Sequence, residues 1–304
     1  CASCSMTIIR NRVIYKSTPG GRGPMRCHPL ELAGVGLALG LLLAGPADAQ
    51  QEEKSADELA REMSNPVGSL ASLTLQGTWT RWGGSAPGID EQSTSALVFM
   101  PTLPFKVWGG NLVLRPSFPV AGVPKLNDDL AWEKERGFGD IVLVSNWGKK
   151  TESGLLWSVG ATSVFPTAKE GLGKNQLQLG PAAILGLLKP WGVLGVFWQH
   201  WWGLNPAEGE DGVNIGNLQL FYWFSLGGGW QIGGSPVPTA NYATATGTTD
   251  FTFPLNLGFA KTLMAGKTPI KLTVQGQYFV TRPDEVGSDW GVFFQVTPVV
   301  KVPW

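Results

Sequence analysis

Histidine, cysteine and clustered carboxylates are the residues in which chemistry is sought first. The chain has 2 histidines, His28 and His200, and 3 cysteines, Cys1, Cys4 and Cys27. His28 and all the cysteines fall in an N-terminal segment that reads as removed on export. What remains has one imidazole and no thiol, which excludes a disulfide framework, a thiolate metal site and any two-histidine mechanism. A serine hydrolase would have to use His200 as its base. No G-x-S-x-G turn accompanies it, and within Trp198-Gln199-His200-Trp201-Trp202 the ring reads as one more interfacial aromatic. Gly137-Phe138-Gly139 is too short for a dinucleotide fingerprint. Asp128-Asp129 and Glu208-Gly209-Glu210-Asp211 read as solvated loop charges, with Ca²⁺ binding or a divalent bridge to lipopolysaccharide as the alternative. The sequence therefore offers no catalytic residue, no metal set and no cofactor site, and the expectation is that the protein is not an enzyme.

The elements that would position any site begin with an export signal. Met25 reads as the start codon, leaving residues 1–24 as an upstream or non-native extension. Met25-Arg26-Cys27-His28 gives a short basic region, residues 32–43 an apolar stretch, and Ala47-Asp48-Ala49 a small-x-small cleavage site, so residues 25–49 read as a secretory signal peptide. That apolar run is too short to span a bilayer core, which needs about 20 residues. Residues 50–70 read as a periplasmic leader. Within it Ser55-Ala56-Asp57-Glu58 predicts a capped helix of one or two turns ending before Asn65-Pro66. That helix either caps nothing or closes the inner mouth of the domain that follows.

Residues 71–304 carry the composition of strands and turns. The chain holds 41 Gly, 22 Pro, 14 Trp and 14 Phe with 15% charged residues, and Gly and Pro are costly in helices. Beyond the signal segment there is a slight acidic excess and no basic footprint for nucleic acid. No apolar run there reaches membrane-helix length, the longest (residues 181–188) ending at Lys189-Pro190, so any crossing must be made by strands. Period-2 alternation is clear over residues 71–82, 111–120, 251–261 and 270–280. Residues 94–105, 139–148, 155–165, 175–188, 191–202, 214–225, 229–233 and 290–302 complete about 12 segments of barrel-spanning length. The connections alternate long and short, residues 121–138 being one of the long ones. This is the pattern of an antiparallel up-and-down transmembrane β-barrel, with short periplasmic turns and long external loops.

Aromatic and polar residues sort consistently with that topology. Trp79, Trp82, Trp147, Trp157, Trp191, Trp198, Trp201, Trp202, Trp223, Trp230, Trp290 and Trp304 fall near proposed strand ends, where barrels carry aromatic girdles. Trp132 alone is expected in a loop. No charged residue occurs between Gly212 and Thr249, as expected where charge at bilayer depth is costly. Val296, Val300, Val302 and Trp304 alternate up to a terminal aromatic, the kind of signal read by barrel-assembly machinery, with Pro298 a departure. If the apolar faces meet lipid, the opposite faces line the interior. That assigns to the lumen Gln76, Thr78, Arg115, Ser117, Gln178, Asn217, Gln219, Asn256, Lys271, Thr273, Gln275, Gln277 and Gln295. Amides and hydroxyls dominate the set, offering hydrogen bonds with little electrostatic selection.

Several short motifs carry a family resemblance. Asn65-Pro66-Val67-Gly68-Ser69-Leu70, Asn111-Leu112-Val113-Leu114-Arg115-Pro116, Gly137-Phe138-Gly139-Asp140-Ile141, Phe165-Pro166-Thr167, Gly180-Pro181-Ala182-Ala183 and Leu220-Phe221-Tyr222-Trp223 resemble the bacterial outer-membrane barrels grouped with the phenol meta-degradation pathway, some of which carry the misleading label neuromedin U. The resemblance implies a transporter-like barrel in the bacterial outer membrane. It would pass small neutral, hydrophobic or aromatic solutes and have the bilayer, lipopolysaccharide and the barrel-assembly machinery as partners. A hydrolase using His200 and a non-transporting structural barrel stand as the alternatives.

Overall fold

Alternation becomes a closed sheet in the computed structural model, which describes residues 55–127, 131–204, 206, 212–243 and 249–302. The expected extension and signal peptide, the acidic loop residues Asp128, Asp129, Glu208, Glu210 and Asp211, and Trp304 lie outside the described residues. A helix α1 (Ala56–Met63) precedes strands β1 (Ala71–Gly83), β2 (Ser93–Val107), β3 (Gly110–Leu126), β4 (Trp132–Phe138), β5 (Ile141–Lys150), β6 (Leu155–Phe165) and β7 (Leu177–Lys189). They are followed by β8 (Gly192–Leu204), β9 (Asn214–Gly227), β10 (Trp230–Gly234), β11 (Thr239–Asn241), β12 (Asp250–Ala265), β13 (Thr268–Thr281) and β14 (Gly287–Val300). All pairings are antiparallel and β14 returns to β1, so the barrel wall closes on itself. β4 and β5 pair with successive parts of β3, and β10 and β11 both bridge β9 to β12. Each couple forms one interrupted stave of a 12-strand barrel. No helix among the described residues is long and apolar enough to cross a membrane.

The two ends of the barrel differ. At one, here the turn end, the chain reverses in tight turns. Trp108 and Gly109 there have φ of 49° and 72°, and Gly228 and Gly229 have 59° and 80°. Two successive positive φ values make the mirror-image turn whose twist matches the strands it joins. α1 sits at this end, its Ser55 cap accepting from Glu58 N at 3.2 Å.

The opposite, loop end extends further than the alternation predicts. Within residues 121–138, expected as a long loop, 121–126 and 132–138 instead continue the ladder: β3 runs on to Leu126 and β4 pairs with it from Trp132↔Leu126 to Phe138↔Val120. Sequence periodicity misses this hairpin because it rises clear of the apolar belt. Glu133, Lys134, Glu135 and Arg136 place charge on both faces, so the strand shows no apolar alternation. Trp132, expected in a loop, opens β4 and donates its indole N–H to Pro87 O at 2.7 Å. With Ala86 it packs against Trp82, Ile89 and Val286, a cluster that ties the β1–β2 connection to the hairpin.

A second joint at the loop end is built from two of the quoted motifs. Asp140, between β4 and β5, accepts from the backbone N–H groups of Thr167 (3.1 Å), Ala168 (3.0 Å) and Lys174 (3.3 Å). Thr167 Oγ1 accepts from Ile141 N at 2.9 Å. Lys169 hydrogen-bonds Glu135, and that bond, with the Lys169 charge next, holds the Glu135 carboxyl below the usual carboxylate range. A depressed carboxyl stabilises above its unfolded range and loses that contribution as pH falls through the folded one. The tether is therefore present at neutral pH and released in acid. Asp140→Ala should detach residues 166–174 and cost about 1–3 kcal/mol, from removing a charged acceptor of backbone donors. Thermal unfolding of the purified barrel reads the loss, and an unchanged midpoint contradicts the joint.

Candidate functional site: the barrel interior

Strand parity decides which side chains meet inside the barrel. On β1, Thr74 and Gln76 are 4% exposed while Leu75 between them is 37% exposed, so polar residues face in and apolar ones out. The same parity places all thirteen residues of the expected lumen set on the inward face. Ser117, Gln178, Asn217, Asn256, Lys271, Thr273 and Gln275 are buried there, while Thr78, Arg115, Gln219, Gln277 and Gln295 are half-buried. The structure adds inward residues that the alternation did not single out: Thr74, Asn146, Ser158, Thr162, Gln199, Gln231, Thr262 and Thr297. The signal was present for Thr74 and Thr297, each two residues from an expected inward position on its strand, whereas β5, β6, β8 and β10 carried no expected position to count from.

Hydrogen bonds knit these side chains into pairs across neighbouring strands. Thr74 and Thr297 hydroxyls lie 3.2 Å apart, Gln199 Nε2 donates to Asn217 Oδ1 at 3.3 Å, and Gln275 Oε1 accepts from Ser235 N at 2.9 Å. Among the described residues, Gln76 Oε1, Asn146 Oδ1, Gln199 Oε1 and Asn256 Oδ1 are buried acceptors with no partner, and Arg115 Nε is a buried donor with none. Such groups carry a penalty of about 1–3 kcal/mol each until something that hydrogen-bonds reaches them.

The interior is not uniformly polar, which corrects the expectation of a wall of amides and hydroxyls. Leu156, Ala182, Ile184, Val193, Phe197, Phe221 and Trp223, inward on β6 to β9 toward the turn end, join Val67 and Ala260 in one buried apolar cluster. The apolar run of residues 181–188 serves two surfaces at once. Leu185 and Leu187 point outward while Ala182 and Ile184 point into this cluster, so alternation is invisible in the sequence there.

Three tryptophans expected in the girdle also point inward. Trp82, Trp201 and Trp223 are 6–9% exposed, and their indole N–H groups reach Thr94 Oγ1 (2.9 Å), Thr162 Oγ1 (3.1 Å) and Ser235 Oγ (3.2 Å). Trp201 adjoins the outward Trp202, and neighbours on a strand must face opposite ways. Trp82 has the inward parity of Thr74, Gln76 and Thr78 on β1. Of the others, Trp79 and Trp290 form an edge-to-face pair at 5.0 Å near the loop end. Trp147 and Trp157 do so at 5.4 Å near the turn end. Trp191, Trp198, Trp202 and Trp230 are 41–47% exposed on the outer surface. His200 shares that outer face, its ring 4.3 Å from Trp202 and 5.9 Å from Tyr242. Its Nε2 lies 2.8 Å from Asn214 Oδ1, so its partner is an amide oxygen and not a hydroxyl nucleophile.

α1 and the segment after it lie across the turn-end mouth. Asp57 accepts from Gly229 N (2.6 Å) and Gly228 N (3.2 Å), Arg61 reaches Pro190 O (3.4 Å), and Asn111 Nδ2 donates to Val67 O (3.0 Å). Val67 enters the apolar cluster and Lys271 Nζ donates to Ser64 Oγ at 2.6 Å. A recess of about 450 Å³ remains beside this plug, bordered by residues 65–70 and by Lys106, Trp108, Lys149 and Lys150. Asp57→Ala removes the acceptor for two N–H groups and should loosen the plug by about 1 kcal/mol. Hydrogen exchange over residues 56–67 should then quicken several-fold with β6 to β9 unchanged. Equal exchange in the two proteins contradicts the latch.

No protein-family model and no curated protein matches the chain. Among solved structures the chain is similar to an outer membrane channel from Pseudomonas putida F1, at 15% identity and a TM-score of 0.61, over 83% of this chain and 100% of that one. The beta domain of the Bordetella autotransporter Brka aligns over 77% of this chain and 100% of its own at 10% identity and a TM-score of 0.42. The likeness to the Pseudomonas putida channel shows a shared barrel fold.

Proposed function

We propose that this protein is an outer-membrane barrel through which small neutral, hydrophobic or aromatic solutes pass without a chemical step. The observation that carries the reading is the interior itself, which combines hydrogen-bonding amides and hydroxyls with an apolar patch that includes Phe197, Phe221 and Trp223. A solute with a ring and a few polar atoms finds partners of both kinds there. The apolar outer surface, with exposed Leu255, Leu257, Phe259, Val274 and Phe294, suits hydrocarbon, and the outward tryptophans suit its two boundaries. The expected signal peptide and the motif resemblance to the phenol meta-degradation barrels support the same location and class. In this reading the turn end faces the periplasm, the loop end meets lipopolysaccharide, and barrel-assembly machinery inserts the chain.

The purified protein should migrate differently on gels when unheated, fractionate with outer membranes, and let liposomes swell in benzyl alcohol and other small neutral solutes. Recovery from the soluble periplasm contradicts the location, and no swelling in any solute favours a structural barrel. His200→Ala should leave assembly and swelling rates within about twofold, because the imidazole sits outside the barrel wall and bonds only an amide. Loss of a measurable esterase activity on that substitution would replace the channel reading with the hydrolase one.

A further inference from the structure

Lys271 occupies an unusual position for a cation. It is 5% exposed, inward on β13, and its Nζ donates to Ser64 Oγ at 2.6 Å and Gln231 Oε1 at 2.8 Å while lying 5.1 Å from the centre of the Trp223 ring. Both hydrogen-bond partners are neutral, and no described carboxylate stands within ion-pair distance of it. Asp57 of the plug is engaged by Gly228 and Gly229 N–H groups. A buried charge is costly unless paired.

Further unpartnered polar groups lie on the strands beside Lys271. Gln231 is 0% exposed and its Nε2, which can only donate, has no protein partner. Thr262, 2% exposed and directly opposite Lys271 in the β12–β13 register, has an unpartnered Oγ1. Ser225, opposite Gln231 in the β9–β10 register, has an unpartnered Oγ. Four adjoining staves thus bring a cation and three free polar groups to one place, with Trp223 opening onto the apolar cluster beside them. The plug's Ser64 already supplies an oxygen here, lying 3.1 Å from Gln231 Oε1 as well as against Lys271.

We infer that Lys271, Gln231, Thr262 and Ser225 form a binding site for a monocarboxylate with an apolar body, such as an aromatic acid, and that Ser64 of the plug occupies the place of the solute's oxygen. One uncompensated cation matches one negative charge, and the donors suit the two oxygens of a carboxylate. The Trp223 side takes the ring. Because Ser64 and the solute compete for Lys271, binding at this site loosens the plug, and solute arrival favours an open turn-end mouth. This inference rests on the interior being a solute path, and it is tested by equilibrium binding, which needs no permeation.

Calorimetric titration of the purified full barrel in detergent, corrected for empty micelles, would compare benzoate with its neutral analogue benzyl alcohol and its cationic analogue benzylammonium. Saturable benzoate binding at least tenfold tighter than either analogue is expected. Lys271→Met should abolish that preference, and Ser64→Ala should tighten benzoate binding and quicken hydrogen exchange over residues 56–67. Equal affinities for benzoate and benzyl alcohol in the unaltered protein, or benzoate binding unchanged in Lys271→Met, overturns the site. Unchanged benzoate affinity in Ser64→Ala overturns the competition. If Lys271→Met does not assemble, Gln231→Leu serves in its place with the same criteria. Benzoate binding without swelling in any solute leaves the site standing and removes the channel reading.

Discussion

Closure of the backbone hydrogen-bond ladder is the constraint from which the rest follows. A strand in hydrocarbon has no water to satisfy its N–H and C=O groups, so each must pair sideways until the last stave meets the first. The pairing of Ala71 with Val300 and of Gly83 with Gly287 completes that ring. Once the ring is closed, every residue on a stave has one of two environments, and a shift of one position exchanges them. Leu272, Val274 and Tyr278 therefore face out while Lys271, Thr273 and Gln275 face in. The glycines at crowded points follow from the same geometry. At Gly180, beside the donorless Pro181, a Cβ would stand 1.7 Å from the carbonyl oxygen of His200, so only a residue without one lets β7 and β8 approach there.

Closing the wall leaves an interior that must also be satisfied. It is met in two ways. Amides and hydroxyls line staves all round the barrel, some paired across adjacent strands as in Thr74–Thr297 and Gln199–Asn217. Toward the turn end, β6 to β9 contribute apolar side chains that need a cover, and Val67 from the segment after α1 provides part of it. The plug is thus held by an apolar contact on one side and by Lys271–Ser64, Asp57–Gly229 and Asn111–Val67 hydrogen bonds around its rim. Each polar bond contributes on the order of 1 kcal/mol, which makes a seal that a ligand competing for one or two of them can shift.

The short motifs of the sequence are joints. Asn65 Oδ1 accepts from Val67 N at 3.0 Å and turns the chain so that Val67 O meets Asn111, linking the first two motifs. Asp140 and Thr167 link the next two at the opposite end. Phe221 and Trp223 from the last motif face inward while Tyr222 between them spans the outer face to Asn256 O at 2.5 Å, closing over the interrupted β10–β11 stave where Gly233 and Gly234 leave room. These residues hold loops, plug and wall in register.

The sequence by itself determined the architecture, because period-2 alternation, turn residues and the absence of a long apolar helix are local properties that survive without knowledge of partners. The inward set from Gln76 to Gln295 followed from parity alone. Tertiary structure decided what parity cannot reach. Trp82, Trp201 and Trp223 carry the same indole as the girdle residues and sit at inward parity, and only the closed barrel supplies the Thr94, Thr162 and Ser235 hydroxyls that accept their N–H groups inside. The charged β3–β4 hairpin has no apolar face to announce it, since both its sides lie outside the apolar belt. The surroundings of Lys271 come from β9, β10, β12 and a helix some 200 residues upstream, and no spacing along the chain encodes that meeting, which exists only when the barrel has closed around its plug.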